Sequence, residues 1–116
     1  MEKEVIVISG PTASGKTKLA IELAKLLDTE IISADSRQIF RYLDIGTAKP
    51  STEELSSVKH HFIDIRDPDE EYNVSIFEKE AGEVIAALHS SSKIPIVAGG
   101  SGLYIKALID GIFEGP

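Results

Sequence analysis

Apolar residues fall into two alternating rhythms along this chain. Short unbroken runs occur at Val5-Ile6-Val7-Ile8, at Ile31-Ile32 and at Ile94-Pro95-Ile96-Val97-Ala98. Runs this brief, bounded by turn formers, predict buried strands over Val5–Ser9, Glu30–Ala34 and Ile94–Ala98, with another over His61–Ile65. Between them the spacing changes to three and four. Leu19, Ala20, Leu23, Ala24 and Leu27 make one stripe of a helix over Lys16–Leu27, and Ile76, Phe77, Ala81, Val84, Ile85 and Leu88 make the inward stripe of a second. That second helix is predicted to begin at Ser75, where Ser75-Ile76-Phe77-Glu78 has capping-box spacing, and to end near Ser90–Ser92. A short helix over Ser51–Lys59 and a last one capped by Ser101, running through Ile109 to a stop at Gly111, complete the set. Ser36–Pro50 has no period and reads as a long irregular segment just past a strand's carboxyl end, a location where function concentrates. Arg66–Asn73 reads as a charged connection.

Strands alternating with helices at this pace indicate an α/β domain: a three-layer arrangement in which a mostly parallel sheet is flanked by helices through right-handed crossovers. At 116 residues and 42% hydrophobic content, residues 1–116 are expected to form a single domain rather than a disordered chain. The sequence contains no cysteine, which excludes disulfides, thiolate metal sites and a cysteine nucleophile. The first apolar run, four residues before Ser9-Gly10, is too short for a signal peptide or a membrane span, so a cytoplasmic protein without membrane contact is expected.

Directly behind the first predicted strand stands Gly10-Pro11-Thr12-Ala13-Ser14-Gly15-Lys16-Thr17, a full match to the phosphate-loop pattern GxxxxGK(S/T). The chemistry follows from the context. Loop amides and the helix dipole attract an anion, Lys16 adds a full positive charge, and the Thr17 hydroxyl can place a Mg2+ between two phosphate groups. Such a cradle recognises a diphosphate and leaves the reaction open. Ligands on sheets of this kind bind beyond the carboxyl ends of the strands. Three turns therefore meet on one rim: the phosphate loop, Asp35, and Gly99-Gly100-Ser101-Gly102.

The net charge of −7 would discourage a nucleic-acid partner, but the charge is unevenly spread. Arg37, Arg41, Lys49, Lys59, His60, His61 and Arg66 fall within 35–66, whereas Asp67, Asp69, Glu70, Glu71, Glu78, Glu80 and Glu83 fall within 67–83. The acidic block reads as a solvated loop and helix face. His60-His61 is a weak metal candidate because neighbours on a strand point to opposite faces. Phe40 and Tyr104 read as packing residues.

Four segments taken together, GPTASGKT at 10–17, ADSRQIFRYLDIGTAKP at 34–50, HFIDIRDP at 61–68 and GGSGLYIKAL at 99–108, resemble the tRNA dimethylallyltransferases, also called tRNA isopentenylpyrophosphate transferases. The resemblance covers essentially the whole chain and keeps that family's motif order. It implies a P-loop NTPase-like fold and transfer of a dimethylallyl group from dimethylallyl diphosphate to the exocyclic amine of the adenosine beside a tRNA anticodon, with Mg2+ assisting and pyrophosphate released. Members are habitually labelled as binding ATP, but the resemblance assigns the loop Gly10–Thr17 to the donor's diphosphate. It implies Asp35 as general base, Lys16, Thr17 and Ser101 as stabilisers of the leaving group, and Asp35, Ser36, Arg37, Gln38 and Ser101 as contacts to the tRNA anticodon stem-loop. Where the family usually has threonine, this chain has Ser101, which keeps the hydroxyl and loses the methyl that restricts its rotamer. Family members are longer, so the resemblance also implies an N-terminal portion without the helical insertion that grips tRNA and without the C-terminal region; a monomer is expected. Two other readings stay open. A small P-loop kinase using ATP would carry arginines in a lid over the γ-phosphate, where residues 67–73 are acidic. A diphosphate-binding module without turnover is the other.

Overall fold

The computed structural model describes residues 4–9, 15–36, 38–40, 51–63, 65–67 and 69–113. In chain order the elements are β1 (Ile6–Ser9), α1 (Gly15–Leu27), β2 (Ile31–Ser33), α2 (Thr52–Ser57), β3 (His60–His61), α3 (Val74–Ser90), β4 (Ile96–Gly99) and α4 (Gly102–Phe113). The strands form one sheet in the order β1-β4-β2-β3, with every pairing parallel. Parallel neighbours require crossovers, and the helices supply them on both faces.

The alternation of side chains along the strands divides the core in two. Ile31 and Ile96 face α1, where Ala20, Ile21 and Ala24 are buried against them together with Val58. The next residues, Ile32 and Val97, face the other way and join Phe77, Ala81 and Ile85 of α3 and Tyr104 and Leu108 of α4. Three layers result, as the sequence rhythm implies, and the fold is P-loop NTPase-like. Phe77 is the hinge of the larger cluster: its ring stacks on Tyr104 at 4.8 Å and meets Phe62 edge-on at 5.4 Å. Tyr104 is thus a packing residue, as its sequence context suggests. Among the described residues no helix is long and apolar enough to cross a membrane.

Several boundaries differ from the sequence reading, each for a local reason. The second long helix is capped by Asn73, whose Oδ1 accepts from the Ile76 N–H at 3.0 Å, so Ser75 lies inside the first turn and makes no capping box. Asparagine is as good a cap as serine, and it stands just ahead of the apolar stripe. A true capping box occurs instead at Ser51: the Glu54 N–H donates to Ser51 Oγ at 3.1 Å, and the Ser51 N–H donates to Glu54 Oε1 at 2.8 Å. On α1 the buried stripe is centred on Ala20, Ile21 and Ala24, leaving Leu19 47% exposed; the two alanines let the helix sit close on the sheet.

The strand expected over His61–Ile65 is only His60–His61, because Phe62 adopts φ 70°, a conformation a bulky residue rarely takes, and turns its ring into the core. The pairing resumes past that kink as a parallel bridge between Phe40 and Arg66. α4 runs through Gly111 to Phe113 rather than stopping there. Gly111 lies inside the helix and does not terminate it; a Cβ at this position would come within 2.7 Å of Glu78 Oε1, the end of a flexible side chain on α3.

Candidate active site

Register sets the rim of the sheet. Ser9 pairs with Gly99, and Ser33 with Ala98, so β1, β4 and β2 end level and the segments that follow them leave from the same edge. α1 opens there with Gly15, Lys16 and Thr17, the last two half-buried. Asp35, two residues past β2, is only 7% exposed. Gly10, Pro11, Thr12, Ala13, Ser14 and Arg37 lie outside the described residues.

The turns after β2 and β4 are tied directly to one another. The Ala34 N–H donates to the Ala98 carbonyl at 2.8 Å, and the Ser101 N–H donates to the Ala34 carbonyl at 3.1 Å. Ser101 Oγ then accepts the Ser36 N–H at 2.9 Å and lies 3.4 Å from Ser36 Oγ. The two predicted polar residues, 65 positions apart in sequence, are thus joined through Ser101 Oγ, with Asp35 held between Ala34 and Ser36. Such an approach of two backbones is possible only without a side chain at Gly99, where a Cβ would overlap the Ala34 carbonyl.

Asp35 also begins a tight turn, closed by the Gln38 N–H donating to its carbonyl at 3.1 Å. Gln38 Oε1 accepts from the Ser33 hydroxyl at 2.9 Å, which orients the amide of Gln38. Ser33 is a site residue that sequence reasoning missed: in a three-residue strand its polarity carried no periodic signal, although a 4% exposed serine must find a partner.

Thr17 offers one hard, neutral oxygen in the first turn of α1, and among the described residues no three His, Cys, Asp or Glu side chains gather to hold a metal. This donor set fits a cation such as Mg2+, which takes most of its ligands from substrate phosphates and water. The neighbouring histidines have separate partners: His60 Nδ1 lies 2.8 Å from the Val58 carbonyl and His61 Nε2 lies 2.7 Å from Glu30 Oε1. In the acidic segment, the Asp67 N–H donates to Glu70 Oε1 at 2.7 Å and the Glu70 N–H donates to the Asp67 carbonyl at 2.9 Å, closing a local turn.

The chain is similar to known proteins. A family model described as IPP transferase matches residues 38–116. A tRNA dimethylallyltransferase from Acetivibrio thermocellus is 60% identical over 105 residues, covering 90% of this chain and 34% of that protein. Another, from Thermodesulfovibrio yellowstonii, is 48% identical over all 116 residues and 37% of its own length. The chain therefore spans little more than a third of the curated relatives it matches. Among solved structures, the full-length tRNA isopentenylpyrophosphate transferase of Bacillus halodurans superposes with a TM-score of 0.88 at 44% identity, over 99% of this chain and 38% of that one. A eukaryotic dimethylallyltransferase acting on tRNA superposes with a TM-score of 0.85 at 39% identity, over 92% of this chain and 27% of that one. With the family model spanning well over half its residues, the chain belongs to the IPP transferase family.

Proposed function

We propose that this chain provides the donor cradle and general base of a tRNA dimethylallyltransferase. The observation that carries the reading is the bond between the Ser36 amide and Ser101 Oγ, which draws the glycine-rich turn after β4 onto the Asp35 turn at the rim where Lys16 and Thr17 begin α1. The relatives named as tRNA dimethylallyltransferases add support from outside the geometry.

In this reading the allylic C–O bond of dimethylallyl diphosphate breaks as the exocyclic amine of adenosine forms a new C–N bond. Pyrophosphate leaves with the electron pair. That amine is a poor nucleophile because its lone pair is delocalised into the ring, and attack leaves it with a proton to lose; Asp35 accepts it. Lys16, the first amides of α1 and the residues Gly10–Ser14 assigned by motif hold the negative charge that gathers on the leaving group. Thr17 would hold a Mg2+, which would supply further charge neutralisation. Ser101 donates its hydroxyl proton toward the bridging oxygen while accepting from Ser36, since a hydroxyl can do both. Ser36, Arg37 and Gln38 are assigned by motif to contacts with the tRNA anticodon stem-loop.

The test is prenyl transfer by the full-length protein from dimethylallyl diphosphate to an anticodon stem-loop, read by nucleoside mass spectrometry. Asp35→Ala should lower the rate by about 10²–10⁴-fold with donor binding retained, as for a positioned base. Lys16→Ala should weaken donor binding and turnover together. ATP-dependent phosphorylation of a small acceptor, with no prenylated adenosine, would reject the assignment in favour of a kinase.

A further inference from the structure

Beyond the rim, a charged clamp fastens the chain that leaves the Asp35 turn. The Ile65 and Arg66 N–H groups both donate to the Ile39 carbonyl, at 2.8 and 3.1 Å. Phe40 continues that contact as a parallel bridge to Arg66. The Arg66 guanidinium folds back so that one arm donates to the Ile65 carbonyl at 3.1 Å and the other to Glu80 Oε2 on α3, also at 3.1 Å. The other oxygen of Glu80 accepts from the Tyr72 hydroxyl at 3.2 Å, and the guanidinium carbon lies 5.1 Å from the centre of the Tyr72 ring. One carboxylate thus joins an arginine and a tyrosine, and the arginine's own backbone receives the segment four residues after Asp35.

We propose that Arg66 is a positioning residue for the acceptor side of the site: clamped by Glu80 and Tyr72, it anchors the Ile39–Phe40 main chain to α3 and so sets where Asp35, Ser36 and Gln38 present their side chains. The inference rests on the acceptor role given above to that turn. Two features make the clamp specific. The Tyr72 hydroxyl donates to that carboxylate at 3.2 Å, and burial, then the charge of Glu80, push it well above the usual phenol range. The bonds that tie the turns after β2 and β4 together, among Ala34, Ser36, Ala98 and Ser101, do not use the Arg66 side chain.

The ion pair is partly exposed, 25% at Arg66 and 35% at Glu80, and pairs of that kind add little to global stability, so its removal should leave the protein folded. In the full-length protein, Arg66→Met is expected to raise KM for a tRNA anticodon stem-loop about five- to tenfold while changing the Kd for dimethylallyl diphosphate by less than about twofold. Glu80→Gln should act in the same direction, and the double variant should be no worse than the more damaging single one, since both break one link. Arg66→Lys, which keeps the charge but not the fork, should restore part of the loss. Amide hydrogen exchange at Ile65 and Arg66 should accelerate in Arg66→Met whatever reaction the protein catalyses. An unchanged acceptor KM, an equal loss of donor affinity, additive losses in the double variant or unchanged exchange would each overturn the proposal. If Arg66→Met does not fold, Tyr72→Phe, which removes a single hydroxyl, decides by the same measurements. Absence of prenyl transfer by the wild-type protein would instead overturn the reading of the site on which the clamp's role depends.

Discussion

Replacing Gly99 by alanine tests the close approach of β4 and β2 that builds the site. The new Cβ would overlap the Ala34 carbonyl, and backbone cannot swing aside as a flexible side chain would. Relief requires the two strand ends to separate, at an overpacking cost of about 1–3 kcal/mol. Separation also stretches the Ala34 N–H bond to Ala98 and the Ser101 N–H bond to Ala34, each contributing about 1 kcal/mol. The sum, about 3–5 kcal/mol, is a large part of the roughly 5–15 kcal/mol that holds a domain together. It corresponds to a fall in melting temperature of roughly 10–20 °C. Gly82 is the internal control for the same chemical change. It lies within α3, a Cβ there would meet nothing within 4 Å, and alanine should stabilise the helix by about 0.5–1 kcal/mol. Thermal melts followed by circular dichroism, run beside the prenyl-transfer assay, would show opposite shifts for Gly99→Ala and Gly82→Ala. A Gly99→Ala protein that melts with the wild type and retains full activity would refute the argument that this approach shapes the rim.

Ser101→Ala should cost about 1 kcal/mol by stranding the Ser36 N–H, yet lower turnover by far more than that stability loss implies, whereas Ser101→Thr should keep both; melting and single-turnover rates measured side by side would show the split. His60 should make stability depend on pH. Burial lowers its pKa from the ordinary 6.5, opposed by its bond to the Val58 carbonyl and by Glu54, so the folded state binds a proton less readily than the unfolded chain. Its contribution is therefore fully present above 6.5 and declines as pH falls through the lowered value; denaturant titrations at several pH values should show this slope reduced in His60→Gln. The structural reason is visible, because Nδ1 donates to a carbonyl and the added proton would sit on a buried Nε2 without a partner among the described residues.

Much of this architecture was legible because long-range order here follows from short-range rhythm. The stripe Phe77, Ala81, Ile85 and Leu88 is buried where periodicity put it, and Ile31/Ile32 and Ile96/Val97 are apolar on both sides because both faces of the sheet are covered. The turns carrying Asp35 and Ser101 were recognisable as neighbours because strand ends in parallel sheets share an edge. What escaped was set by contacts between distant segments. The kink at Phe62 is a backbone choice stabilised by aromatic packing against Phe77, and no local signal announces it. Gly111 looks like a terminator, yet α4 continues through it to Phe113. Ser75 and Asn73 compete as caps within two residues, where composition alone does not choose. The Arg66–Glu80–Tyr72 clamp joins the last residue of the basic stretch to the acidic block that reads, in sequence, as a solvated face.

The common direction of the helices has an electrical consequence. Because every strand points the same way and α1, α3 and α4 return against them, the amino ends of all three helices open toward one edge, each with about half a positive charge. The chain as a whole carries a net −7. A polyanion near this part of the protein would be repelled by its net charge and attracted by the helix ends at that edge, within a screening distance of about 8 Å at physiological salt. The fold therefore works as a compass, and added salt should blunt the angle of approach before it abolishes the encounter.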